Sequence, residues 1–168
     1  MLVTRWWKLY DRLETALAVL LLSMCVLTVL VAAIGRSAGS PVQSAPQLAL
    51  LFLIWAVVFG ADLCLRNGEH IRVSAIPDLL PLPLRRAVTV LNLALILPFL
   101  GFLAVEGYAL ATGNWERELG STGLSYGLVT LALPAGAVLF LLSLLRRLFR
   151  HGLDATLEPE DGHRESPL

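Results

Sequence analysis

The residues of this chain that could do chemistry are few: acids set in apolar sequence, an arginine one helical turn from an acid, three histidines and two cysteines. Asp62 stands four residues before Arg66 in a long apolar run. On a helix that spacing brings carboxylate and guanidinium to one face, where they can pair. Glu106 is a second acid in apolar surroundings. Ionisable residues in such settings are candidates for proton relays or ion sites. The plainer reading is preferred for both: Asp62 and Arg66 anchor a helix end, and Glu106 snorkels to a headgroup or meets a partner. Histidine suggests haem ligation, but His70 alone lies near apolar sequence, whereas His151 and His163 belong to the polar C-terminal stretch. Cys25 and Cys64 read as small buried residues. No metal-spaced cysteine pair, glycine-rich phosphate loop or nucleophile motif is present. The expectation is a non-enzymatic protein without a cofactor.

The elements that must position these residues follow from charge spacing. Of 168 residues, 57% are hydrophobic and 15% charged, against about 45–50% and about 25% in soluble domains. Uncharged windows of 21, 25, 19 and 27 residues separate Glu14 from Arg36, Arg36 from Asp62, Arg86 from Glu106 and Glu118 from Arg146. A membrane-spanning helix needs about 20 apolar residues, and within lipid the backbone must satisfy itself. The fold class expected is therefore all-α: an integral membrane four-helix bundle with spans near 14–35, 47–66, 87–110 and 123–146. The first span is read as retained, because its apolar core of about 20 residues exceeds a signal peptide's. Residues 37–46, rich in small residues and proline, read as a loop. Pro98 and Pro134 should kink the third and fourth spans. The stretch 67–86 and residues 1–13 read as interfacial amphipathic segments. Residues 1–150 form one domain, and 151–168 a polar tail.

The net charge of zero conceals an asymmetry. Eleven of the 13 basic residues lie before span one, between spans two and three, or after span four; Arg36 and Arg117 lie on the other side. The positive-inside rule puts both termini in the cytoplasm. Zero net charge also gives no field for nucleic acid. Cys25 and Cys64 then differ in depth by about 10–15 Å, beyond disulfide reach. Ser23, Thr28, Gly60, Ala61, Gly101, Ala132 and Gly136 read as small residues that let helices approach. Trp55, near the middle of span two, reads as a packing residue.

The run Trp55-Ala-Val-Val-Phe-Gly60-Ala-Asp62-Leu-Cys-Leu-Arg66-Asn-Gly-Glu-His70-Ile-Arg72-Val73, followed by Leu82-Pro-Leu-Arg-Arg86, resembles the small membrane subunit of TRAP transporters, the DctQ-like proteins. That pattern has a Trp, Gly-Ala near the inner end of span two, an Arg, and then His-Ile/Val-x-Val. Ser74 stands where an acid is common, and Asp62 where a small apolar residue is commoner. The resemblance implies a subunit of a secondary transporter, usually sodium-driven, in a bacterial inner membrane. A periplasmic binding protein delivers the substrate, often a carboxylate, and a large membrane subunit moves it. The small subunit pairs with the large one and helps hold the assembly. Trp55, Gly60, Asp62, Arg66, His70, Arg72 and Glu106 are then candidates for structural, lipid or partner contacts, with Arg66 and Arg72 near anionic lipid heads. Rival readings are a redox-enzyme membrane anchor and a self-sufficient small exporter.

Overall fold

A computed structural model describes residues 2–67 and 81–155. Among these, all regular structure is helical. Helix α1 (Leu2–Ser37) and helix α2 (Ala45–Asn67) are followed by α3 (Leu82–Gly113), the single turn α4 (Gly127–Thr130) and α5 (Ala132–Ala155). Four stretches are long and apolar enough to cross a membrane: Leu9–Ser37, Ala45–Leu65, Arg86–Gly113 and Gly127–Arg146. The last combines α4 with most of α5. The expected spans are thus present, and the connection 38–44 falls within the expected loop.

Local chemistry explains the boundaries. No glycine or proline occurs between Leu2 and Ile34, so α1 runs on without a separate interfacial piece. Within it the hydroxyls of Thr15, Ser23 and Thr28 donate to the carbonyls of Asp11, Val19 and Met24, which satisfies them inside the helix's own backbone. The helix ends in a Schellman arrangement. Gly39 adopts φ +75°, the Ser40 N–H donates to Gly35 at 2.9 Å, and the Gly39 N–H donates to Arg36 at 3.2 Å. Pro46 then lies in the first turn of α2, where its missing N–H is no loss. Pro81 caps α3 and Pro83 sits in its first turn. Helix α5 continues to Ala155, into the segment assigned by sequence to the polar tail.

Helix α3 is continuous through Pro98. The fourth span passes from α4 to α5 through Leu131, whose backbone is itself helical (φ −64°, ψ −22°), donating to Gly127 at 2.8 Å and accepting from Ala135 at 3.1 Å. Pro134 has no N–H to give to the carbonyl of Thr130, the last residue of α4.

The packing order is not the chain order. Helix α1 packs on α2, α2 on α5, and α5 on α3. The helices thus form an open row, α1–α2–α5–α3, and not a square bundle. The shorter spans, of 21 and 20 residues, are central, and the longer ones, of 29 and 28, lie at the edges. Burial follows that order: 39% of the most apolar stretch of the fourth span is buried, against 6% in the first. The first residues of α1 and the last of α5 lie on one side of the row, here the terminal side, where Asp11 and Arg146 meet; loops 38–44 and 114–126 lie on the loop side.

Candidate functional site

On the terminal side, three helices bring charged residues together. Glu14 of α1 is 4% exposed, and Asp62 of α2 is wholly buried. Around the Asp62 carboxylate stand the Ser143 hydroxyl and Arg146 of α5, and Asp11 of α1. Arg146 Nη1 lies 3.5 Å from Asp11 Oδ1. Asp62 therefore faces across the row to α5. Its expected neighbour along α2, Arg66, has a side chain outside the described residues, as do His70 and Arg72 entirely. Burying carboxylates is costly unless charge and hydrogen bonds compensate; here Arg146 joins α1 and α5 as one compensating charge. Sequence spacing does not reveal this cluster, because Glu14 and Arg146 mark the ends of uncharged windows and stand far from Asp62 along the chain. The signal that could find it is depth: Glu14, Asp62 and Arg146 share one side of the membrane.

On the loop side the contacts are neutral. Trp55 Nε1 donates to the Leu128 carbonyl at 3.0 Å, in the turn α4 that opens the fourth span. This side-chain donor comes from α2 and reaches a backbone carbonyl of α4, two residues before the Thr130 carbonyl that Pro134 leaves without its helical donor. Its ring stacks on Phe59 at 5.9 Å. The packing role expected of Trp55 is present, with a hydrogen bond that spacing alone does not reveal. Leu51, Leu119 and Val129 form the core here, with Ile54, Trp55, Tyr126 and Leu128 packed against it.

The loop between α3 and α4 is built on this core. The Tyr126 N–H donates to Arg117 and the Leu119 N–H to Leu124, both at 2.7 Å. Ser125 Oγ donates to the Trp115 carbonyl at 2.6 Å, and the Arg117 guanidinium lies 4.9 Å above the Tyr126 ring. Gly120, at φ +58°, lies so close to α2 that a Cβ there would fall 2.8 Å from Gln47 Cγ.

Close helix approach occurs at one of the glycines expected and at one not expected. A Cβ on Gly107 of α3 would lie 3.0 Å from Pro134 Cδ, and one on Gly136 of α5 would lie 3.2 Å from Val58 of α2. Gly136 and the fully buried Ala132 are among the small residues expected to do this; Gly107 is not. Gly60 and Gly101 instead face open space, so neither mediates a close approach within this chain. Glu106 is exposed on α3, seven residues before the helix ends at Gly113.

Among the described residues no group of three His, Cys, Asp or Glu side chains could hold a metal ion. The site is thus two arrangements at opposite ends of the row, one charged and one neutral.

Residues 24–152 match the family model described as tripartite ATP-independent periplasmic transporters, DctQ component. The chain is also similar to the sialic acid TRAP transporter small permease protein SiaQ of Vibrio cholerae serotype O1. The two are 25% identical over 144 residues, covering 84% of this chain and 83% of that protein.

Proposed function

The chain belongs to the DctQ-component family of TRAP transporters, and from that premise we propose that it braces the large permease subunit and carries neither substrate nor ion itself. It is a multi-pass small membrane subunit of a transport system, and its family associates with a large membrane subunit and a periplasmic binding protein. The bracing role, the manner of contact and the substrate are the proposed part.

The observation that supports bracing most is the open row. Its own packing buries 39% of the most apolar stretch of the fourth span but only 6% and 11% of those of the long edge helices α1 and α3, which suits a part completed by a larger neighbour. A carrier needs polar groups or broken helices near the midplane. Here the charged cluster lies toward the terminal side. The backbone bond that Pro134 omits, at Thr130, lies toward the loop-side end of the fourth span, and Trp55 engages the same turn at Leu128. Glu106 and the open surface at Gly60 fit contacts with the large subunit, since a carboxylate within apolar sequence gains from a partner. Arg66, His70 and Arg72 fit lipid or partner contacts at the terminal side.

The distribution of basic residues supports cytoplasmic termini in a bacterial inner membrane. Loops 38–44 and 114–126 would then face the periplasm and help receive the binding protein. Residues 1–150 act as one transmembrane unit, with 151–168 as a polar cytoplasmic tail. The similar protein's name supports a carboxylate substrate, taken up with a coupling ion. The test is co-expression with the large permease and binding protein. The small subunit should co-purify with the large one, and uptake in proteoliposomes should fall to background without it. Full uptake by the other two components alone would overturn the proposal. Arg66→Ala and His70→Ala with unchanged complex yield and uptake would remove those two residues from it.

A further inference from the structure

The two edges of the row differ in what they present to their surroundings. Between Glu14 and Arg36, the hydroxyl-bearing residues of α1 are Thr15, Ser23 and Thr28, and each donates to a carbonyl four residues back. No proline occurs in α1. Its exposed face is aliphatic, with Leu20, Leu27, Leu30 and Ile34 each half exposed or more. Helix α3 is different. Pro98 is exposed and has no N–H to give to the carbonyl of Ala94, which is exposed as well. The amide of Asn92 and the carboxylate of Glu106 are also exposed, and neither has a hydrogen-bond or ion-pair partner among the described residues. Between them a Cβ on Gly101 would meet nothing, which leaves room for a second helix to approach.

These groups lie at two depths. The span runs from Arg86 to Gly113. By helical rise Asn92 and Ala94 are about 9 and 12 Å in from its terminal-side end, and Glu106 is about 10 Å in from its loop-side end. The span is about 42 Å long, so when it is centred on a layer of about 30 Å all three groups lie within hydrocarbon, two in one leaflet and one in the other. A long side chain can reach out toward water from such a depth. A backbone carbonyl has no such reach, and in hydrocarbon each polar group without a partner is costly.

The chemistry selects the occupant. Lipid tails offer no donor. A second copy of this chain has the same orientation in the membrane, so a twofold contact through α3 sets Glu106 beside Glu106, carboxylate against carboxylate. A different membrane-spanning chain with donors at these depths meets all three groups, and the family associates with such a chain, the large membrane subunit. We propose that α3, and not α1, is the edge that docks on the large permease subunit, against a helix carrying a basic or amide side chain at the depth of Glu106 and a donor near the Ala94 carbonyl. The α1 edge faces lipid. The inference rests on the pairing proposed above and adds to it the edge and the chemistry of the contact.

The test uses the purified complex of small and large subunits in lipid nanodiscs, with the photoreactive p-benzoylphenylalanine placed at Phe102 on α3 or at Leu27 on α1. Both positions are exposed, so the probe displaces no packed neighbour. Illumination should link the large subunit from Phe102, one turn from Glu106, and not from Leu27. Glu106→Leu should weaken the complex on the order of tenfold, the loss of one interhelical polar contact in a membrane. It should leave the unfolding midpoint of the isolated small subunit in place, which separates lost docking from lost folding. In an intact complex, links to the large subunit from Leu27, or none from Phe102, overturn the choice of edge and leave the bracing role standing. Links from Phe102 to a second small subunit mean that α3 joins two copies of this chain, and overturn it equally. Unchanged affinity in Glu106→Leu overturns the polar contact. Failure of the wild-type subunits to co-purify is a separate result, which removes the pairing itself and this inference with it.

Discussion

Where α1, α2 and α5 meet on the terminal side, the contact is among charges: Asp11, Asp62 and Arg146, with Glu14 buried on α1. Where α2, α3 and the fourth span meet on the loop side, it is among apolar side chains and neutral hydrogen bonds. The difference is one of tolerance. A buried charge depends steeply on its compensating partner, whereas a neutral contact in a membrane is worth little by itself and acts through shape. The terminal side should therefore fail on loss of one group, and the loop side on crowding.

Arg146→Met tests the charged end. It removes a guanidinium from the buried Asp62 and should cost about 3 kcal/mol, read as a fall in the thermal unfolding midpoint in detergent. Adding Asp62→Asn should recover part of the loss; an additive double variant would show that the two residues do not act as a unit. Crowding tests the other end. Gly107→Val forces a branched side chain against Pro134, whose Cδ would lie 3.0 Å from even a bare Cβ at that position, and should cost about 2 kcal/mol by the same measurement. If it costs nothing, α3 and α5 are free to move apart at this point.

Trp55→Phe keeps the ring and removes the donor to Leu128. It should cost about 1 kcal/mol and speed amide exchange around residues 127–131, with the rest of the row unchanged. Unaltered exchange there would mean the turn holds itself. The smallest effect is expected at Gly60→Ala. Its Cβ meets nothing, so the isolated subunit should gain about 1 kcal/mol or less from helix propensity. A weakened complex with the large subunit, seen by co-purification, would locate Gly60 at the partner surface.

Much of this fold is legible in sequence, because uncharged runs of membrane-spanning length have few alternative structures. The order of helices in the row is not. In lipid every helix face is apolar, so periodicity does not distinguish a face toward a neighbour from one toward hydrocarbon, as it does in water. The same indifference hides the openness at Gly60 and the crowding at Gly107, since a glycine in sequence carries no direction. Trp55 is visible as a large residue in a span, but its partner 73 positions away leaves no mark in sequence spacing. The charged cluster is readable in principle, as three charges at one membrane depth, once these are treated as neighbours.

The uneven helix lengths make bilayer thickness a variable for this protein. The edge spans of 29 and 28 residues extend about 42–44 Å, and the central ones of 21 and 20 about 30–32 Å, against a hydrocarbon layer of about 30 Å. The centre matches the layer, and the edges exceed it. In a thin membrane the edges must lean or stretch the surrounding lipid, at a cost of fractions of a kcal/mol per Å. A thicker membrane relieves the edges and strains the centre. Hydrophobic mismatch thus acts in opposite directions on the two parts of the row, so changing lipid chain length shifts the angle at which the edge helices are offered to a neighbour.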